Sequence, residues 1–594
     1  TAPGTTNVAA VSLNGQYSGG LPAGMTLGMD GENNGSIALE DSSVGIYGKN
    51  GSRISNRGTI TTGNSSAGLV TSGLNSEVKN SGLITMGAAS HGVYLQDGLI
   101  AQNQASGNIL SAGAGSIGMF ADNNAATVMQ VINDGNIDLT GDDSLGIYAT
   151  GTNSQLIDNN LGASIKVGNS TNASDPGIGI YSGAAGSTVK NDGTITSGIN
   201  SIGIYNNQGT TTINGTAVHN IDNSGVGIYA TGGIVNLNSG SAFNMGTNGA
   251  VAVYGINSGV TNSTNLNIGN SNYGYILKGG SLTNTAGTSA SMGSDSVYMY
   301  STEGTTVTND GTLIMSGADN VGFYMAQDPT SKVGGAVMIN NAGGNISGTV
   351  GNNNVGIYNY GGIVDNYGNV AVGNSDIEFI TGTTNVDVKA SKYSVGIYGE
   401  NAAIINRAGA NVSAGYGGYG IVAKGGTASN FGTVTTTGDY STGMYTENGV
   451  ITNESTGIIN VTGNNAIGMA GKGEGSEIIN HGTINITGNG AIGMYGNLGT
   501  IITNTGTINI TGDGQLFVSS DPTNSLHNVN SGTAGVNGIF DNTIQSVGST
   551  HTLPSLINAG IIKTNGVLAL DGIQVMIKPD PSSVQPSGNP DYDF

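Results

Sequence analysis

The chain has 594 residues, 105 of them Gly and only 10 Pro, with no Cys and no Trp. Each Gly inside a helix costs about 1 kcal/mol against Ala, so this content excludes long helices; scarce Pro, and Gly away from every third position, exclude collagen. With 15 Lys and Arg against 37 Asp and Glu, the net charge of −22 repels phosphate, which speaks against nucleic acid and against docking on anionic lipid.

The lack of Cys removes disulfides and thiolate metal sites. A hydrophobic fraction of 37% is low for a compact globule but sufficient for the thin core of a stack of repeats. No apolar run reaches about 18 residues, so no membrane-spanning helix is expected. The first residue is Thr1 and no signal peptide is present, as expected of a mature or trimmed chain.

Residues 1–40 are atypical and predict a cap. From residue 41 one unit recurs: an aliphatic or small residue, Gly, an apolar residue, then Tyr. It runs Val44 to Tyr47, His91 to Tyr94, Leu145 to Tyr148, Ile178 to Tyr181, Ile202 to Tyr205 and Val226 to Tyr229. It returns at Val355 to Tyr358, Val395 to Tyr398 and Ile492 to Tyr495, with variants at Val251 to Tyr254, Val321 to Tyr324 and Thr442 to Tyr445. Variants lie at Ala67 to Val70, Ile117 to Phe120, Tyr419 to Val422 and Ile467 to Ala470, with more degenerate copies around Tyr275 and Tyr298. A period near 24 residues is the mark of a solenoid coil, as at Gly179, Gly203 and Gly227.

Between these copies stands a second motif, Asn-x-Gly followed by Thr-Ile or a similar pair, as in Asn56-Arg57-Gly58-Thr59-Ile60, Asn191 to Ile195 and Asn480 to Ile484. Asn and Gly tolerate positive φ and predict a turn; the alternating residues after them predict a strand. A third strand is expected at segments such as Glu77-Val78-Lys79. Short strands cannot each bury a face alone, and stacking the coils pairs every strand with its copies in parallel. The predicted fold is all-β: a right-handed parallel β-helix of about 20–25 coils. Asn at one corner of successive coils is expected to form a hydrogen-bonded ladder.

The main stack is expected over 41–515. The step lengthens between Gly146 and Gly179, Gly322 and Gly356, and Gly356 and Gly396, which predicts loop insertions near 150–178, 326–350 and 371–394. A loop-rich interruption follows at 516–555, last coils at 556–577, and a linker or cut end at 578–594. Alternation places the residues before and after the repeat Gly inside and puts Gly and Tyr outside. The outer stripe then comprises Tyr47, Tyr94, Tyr148, Tyr181, Tyr205, Tyr229, Tyr254, Tyr324, Tyr358, Tyr398, Tyr445 and Tyr495. It reads either as shielding of the ladder or as a contact surface.

The longest insertion offers Asp376, Glu378, Phe379, Lys389, Lys392 and Tyr393 as ligand-binding candidates. Asp376 and Glu378 share one face about 7 Å apart if extended, a glycosidase-like spacing, but a solvated loop is the favoured reading. Asp134-x-Asn136-x-Asp138 opens like an EF-hand loop, but Leu139 and Leu145 stand where Gly and Glu are required. No Gly-x-Ser-x-Gly occurs, and His91, His219, His481, His527 and His551 are scattered. No catalytic, cofactor-binding or metal-ligating residue is assigned, and an enzyme is not expected.

The Val-Gly-Ile-Tyr strands and Asn-x-Gly-Thr-Ile turns, repeated over residues 40–575, resemble the passenger regions of large fusobacterial type V autotransporters, the RadD-like adhesins. That resemblance implies export through an outer-membrane β-barrel absent from this chain and display at the bacterial cell surface. It also implies adhesion to a host receptor or glycan, or to a surface protein of another bacterium. No cofactor is expected and the chain is expected to be monomeric. The alternatives are a structural stalk for a binding region elsewhere and a glycan-degrading β-helix.

Overall fold

A computed structural model describes residues 9–14, 30–125, 127–171, 176–328, 334–381, 386–497, 500–511, 515–520, 555–558 and 561–564. Most of the expected interruption at 516–555 and all of the expected linker at 578–594 lie outside them. The described residues form strands and turns with no helix, stacked as a parallel β-solenoid of about 19 turns. Among the described residues this number falls just below the expected 20–25. Two compact units are distinguished, residues 1–267 with 271–281, and residues 268–270 with 282–594.

Most described coils hold three strands; in two, the first and second run together as Val251–Asn262 and Tyr273–Asn284. In the first unit one coil is Val44–Lys49, Arg53–Asn56 and Thr59–Thr61, and the next is Ala67–Ser72, Glu77–Asn80 and Leu83–Met86. Their register is parallel and direct: Ile46 on Leu69, Ile54 on Val78, Ile60 on Ile84. Three aliphatic columns therefore line the interior. The column after the repeat Gly (Ile46, Leu69, Val93, Met119, Ile147) is at most 1% exposed. The second unit repeats the plan with Met444, Met469 and Met494 in that column.

The repeat Gly and the residue before it do not lie where simple alternation places them. Pairing skips the Gly, running Val44 on Ala67 and then Ile46 on Leu69. A Cβ on Gly45 would point at Ile60 Cγ2, 3.1 Å away, and at the carbonyl oxygen of Gly68 in the next coil. Gly and the residue after it both face inward, so the residue before Gly joins the Tyr outside. In the degenerate copy at Tyr298, a tyrosine occupies the Gly slot and is buried, its hydroxyl donating to Asn284 Oδ1 at 2.7 Å. In the second unit Val321, Val355 and Val395 cluster with Tyr324, Tyr358 and Tyr398.

The Asn-x-Gly corner also differs from its expected geometry: none of Asn56, Gly58, Asn80, Gly82, Asn191 or Gly193 has a positive φ. Asn ends the second strand with its amide buried, and the Gly clears the preceding coil, since a Cβ on Gly58 would strike the carbonyl of Gly35. The expected ladder is present. In the first unit each amide donates to the next through Asn33, Asn56, Asn80, Asn103, Asn133, Asn159 and Asn191 at 2.7 to 2.9 Å. In the second unit it runs from Asn309 through Asn340, Asn366, Asn406, Asn430, Asn453 and Asn480 to Asn504, at 2.7 to 2.9 Å. The second amide hydrogen reaches the Gly carbonyl two residues on, as from Asn80 to Gly82 at 3.1 Å. A buried polar column with both donors satisfied stabilises its corner instead of destabilising it.

Candidate binding surface

Two surfaces carry the residues singled out from the sequence. On the first strands of the first unit the aromatic column is continuous from Tyr94 through Phe120, Tyr148, Tyr181, Tyr205 and Tyr229 to Tyr254. Neighbouring ring centroids lie 4.7 to 5.4 Å apart. Most pairs are nearly coplanar, 4° between Tyr181 and Tyr205. The coil spacing sets this distance, and each stacked pair contributes about 0.5–1.5 kcal/mol beyond simple burial. Tyr47 lies below the column, separated from Tyr94 by Val70 in the ladder.

These rings are half-buried in the first unit except Tyr254, which is buried. Burial, followed by the charges of Asp122 and Asp97, raises the phenol pKa of Tyr94. Burial and the neighbouring phenols do the same for Tyr181. Face-to-face stacking leaves only ring edges and hydroxyls toward solvent, so a sugar has no free ring face to lie on.

In the second unit Tyr300, Tyr324, Tyr358 and Tyr398 stack 4.8 to 5.5 Å apart. Tyr398 is 3% exposed and Tyr445 and Tyr495 are buried, while Tyr300, Tyr324 and Tyr358 remain half-buried. Tyr358 donates to Glu400 Oε2 at 3.1 Å. Burial pushes the Tyr324 phenol up to about 12.

The longest insertion is an antiparallel hairpin, Asp376–Thr381 and Val386–Lys392, rising from the corner after Asn369–Val372. Asp376 and Lys392 face each other at its base in the backbone register. Both already have partners in the stack. Asp376 accepts from the amides of Asn352 and Asn353 at 2.9 and 2.7 Å, and Lys392 pairs with Asp319 at 2.9 Å. Tyr393 is 1% exposed and packs edge-on against Tyr419, which removes it from any ligand surface. The side chains of Glu378, Phe379 and Lys389 lie outside the described residues; their backbone pairs Glu378 with Lys389 and Phe379 with Val388.

Other charged groups serve the stack. Asp134, which opens the broken EF-hand pattern, accepts from Gln102 and Asn160, and Asp143 accepts from the backbone of Thr171. Arg407 holds Asp365 through two bonds of 2.6 and 3.0 Å and lies over the Tyr367 ring. Among the described residues no three His, Asp or Glu side chains converge as a metal site.

Sequence reasoning missed a polar column at the corner that enters the first strand. Ser43, Ser66, Ser90, Ser116 and Ser144 are buried there, and the hydroxyls of Ser66 and Ser90 accept from the backbone of the preceding coil at 3.0 Å. In the second unit Asn320, Asn354 and Ser394 take this place. The signal was present, because Ser directly precedes many copies of the Gly motif. Also missed was a row of outward amides on the third strands, with Asn485 donating to Asn460 and Asn509 to Asn485 at 2.9 and 2.8 Å.

A parallel β-solenoid whose outer faces are regular polar and aromatic arrays defines a β-helical repeat protein. A family model matches residues 6–217 and 332–538, well over half of the chain. The chain belongs to the family of the BigA third pectate lyase-like domain. No curated protein matches it.

Proposed function

We propose that this chain is the displayed passenger of an autotransporter adhesin of the RadD-like kind, anchored through the outer membrane by a β-barrel beyond this chain. It binds a host receptor or glycan, or another bacterium's surface protein, and has no enzymatic activity. The observation that supports this most is the membership of a surface adhesin-like β-helix family, joined to outer faces that repeat the same side chains coil after coil. A surface of that kind offers many weak, equivalent contacts, which gives adhesion through avidity. Among the described acids, Asp134, Asp143, Asp365 and Asp376 are each engaged by an amide, a backbone N–H or a cation, which speaks against free catalytic carboxylates at those positions. Beads coated with the purified chain are expected to attach to host or bacterial cells and to release no reducing ends or unsaturated sugars from polysaccharides. Sugar release would replace the adhesin reading with an enzyme, and coated beads that attach to no cell surface would remove it.

A further inference from the structure

The third strands of the second unit present a face unlike the rest of the molecule. Over nine successive strands, from Ser289–Met292 to Thr507–Ile510, no outward-facing residue is charged, in a chain with 37 acidic residues. The nearby acids Asp310, Asp319, Asp439 and Glu454 sit in the turns at the strand ends. Outward positions are mostly Ser, Thr and Asn, half-exposed and in strict register: Asn411 on Thr433, Ser413 on Thr435, Thr435 on Asn460, Asn460 on Asn485, Asn485 on Asn509. Inter-coil amide bonds hold Asn460, Asn485 and Asn509 in place, and Asn411 donates to Asn369 at 3.0 Å. Asn485 and Asn509 each spend one N–H on the preceding coil and Asn460 accepts from Asn485, which leaves an N–H and carbonyl lone pairs along this row for a partner.

We propose that this face is a docking surface for a neutral, hydroxyl-rich polysaccharide, laid along the stack with roughly one sugar per coil. The inference rests on the adhesin reading and names its partner class. The chemistry selects the occupant. With no cation at the outward positions of these nine strands, and with Arg407 at the rim already held by Asp365, nothing on them attracts an anionic glycan or a nucleic acid. A second copy of this chain would need an apolar interface core, and the face offers mainly Ile314 and Ile458 as exposed apolar groups. A neutral chain of hydroxyls both donates and accepts, as the Asn and Thr side chains do. The amides repeat at the coil spacing of roughly 4.8 Å, close to the advance of one sugar in an extended β-1,4-linked chain. Because neighbouring coils already fix the amides, little side-chain entropy is lost on binding.

The test is retention of the full chain on insoluble neutral polysaccharides, namely β-1,4-glucan, β-1,3-glucan and mannan, with polygalacturonate as the anionic control. Retention on at least one neutral polymer is expected, persisting at high salt, with none on polygalacturonate. Asn485→Asp and Thr435→Glu place charge on the face and are expected to weaken retention at least about tenfold. Asn220→Asp, on an equivalent strand of the first unit, should leave it unchanged. Thr435→Glu breaks none of the inter-coil amide bonds, so its loss of binding cannot be laid to the ladder. The proposal is overturned by absence of retention on every neutral polymer, by loss at high salt, or by face variants that bind as wild type. A face variant that alters the oligomeric state overturns it in favour of self-association. Cell adhesion scored in parallel separates the two readings: cells bound equally by wild type and face variants sink this site alone.

Discussion

The amide of Asn191 meets Nε2 of His219 at 3.0 Å, and with this bond the buried ladder of the first unit crosses from a second strand to a third strand. The position stacked on Asn191 is Ile213, which has no acceptor to offer. His219, 1% exposed and stacked on Phe243 at 5.0 Å, takes that place. Burial holds its imidazole down to about 3.

An imidazole neutral in the fold and protonated near 6.5 when unfolded contributes stability that is complete above about pH 6.5 and is lost as pH falls toward 3. His219→Ile strands the Asn191 amide and should cost about 1–3 kcal/mol. Urea denaturation read across acidic pH should show a steeper fall in midpoint for wild type than for His219→Ile. Parallel slopes would mean that the imidazole is not held neutral.

Gly118 lies where a Cβ would sit 2.5 Å from the carbonyl oxygen of Gly146 and 2.6 Å from Ile137 Cγ2. Its φ is not positive, so the cost of Gly118→Ala is steric and should be about 1–3 kcal/mol. Gly35, with open space around its Cβ position, should accept Ala with little change. Thermal melts of the two variants that coincide would argue against close approach as the reason for the repeat Gly.

In the ladder of the second unit, Asn453→Ala leaves the Asn430 donor and the Asn480 acceptor facing a gap. A loss of about 1–3 kcal/mol is expected, with faster hydrogen exchange in the flanking coils. Asn244 makes the same kind of bond to Asn220 on the exposed surface, and Asn244→Ala should cost much less. Similar losses at both sites would show that burial is not what gives the ladder its weight.

Tyr205 is stacked on both sides, 4.9 Å from Tyr181 and 5.4 Å from Tyr229. Tyr205→Phe keeps both ring contacts and should be nearly neutral, as the natural Phe120 in the same column suggests. Tyr205→Ala removes both and should cost about 1–3 kcal/mol. Should Tyr205→Phe instead abolish cell adhesion while the melt stays unchanged, the hydroxyl row would become the contact surface and the structural reading of the stripe would fall.

Periodicity alone established that the chain folds as stacked three-strand coils, that Ile46, Leu69 and their successors form an inner column, and that Asn56, Asn80 and Asn103 line up at one corner. These follow from the repeat itself, because identical segments in register can only place like residues over like. The side on which Val44 and Gly45 fall was decided by tertiary structure, since the break in alternation comes from coil-to-coil carbonyl contact that no single segment encodes. The burial of Tyr393 and Tyr398, the engagement of Asp376 and Lys392, and the replacement of an amide by His219 were decided there too. Each depends on what the adjacent coil presents at a few ångströms, and a one-dimensional pattern gives the order of residues without the distances between the coils that carry them.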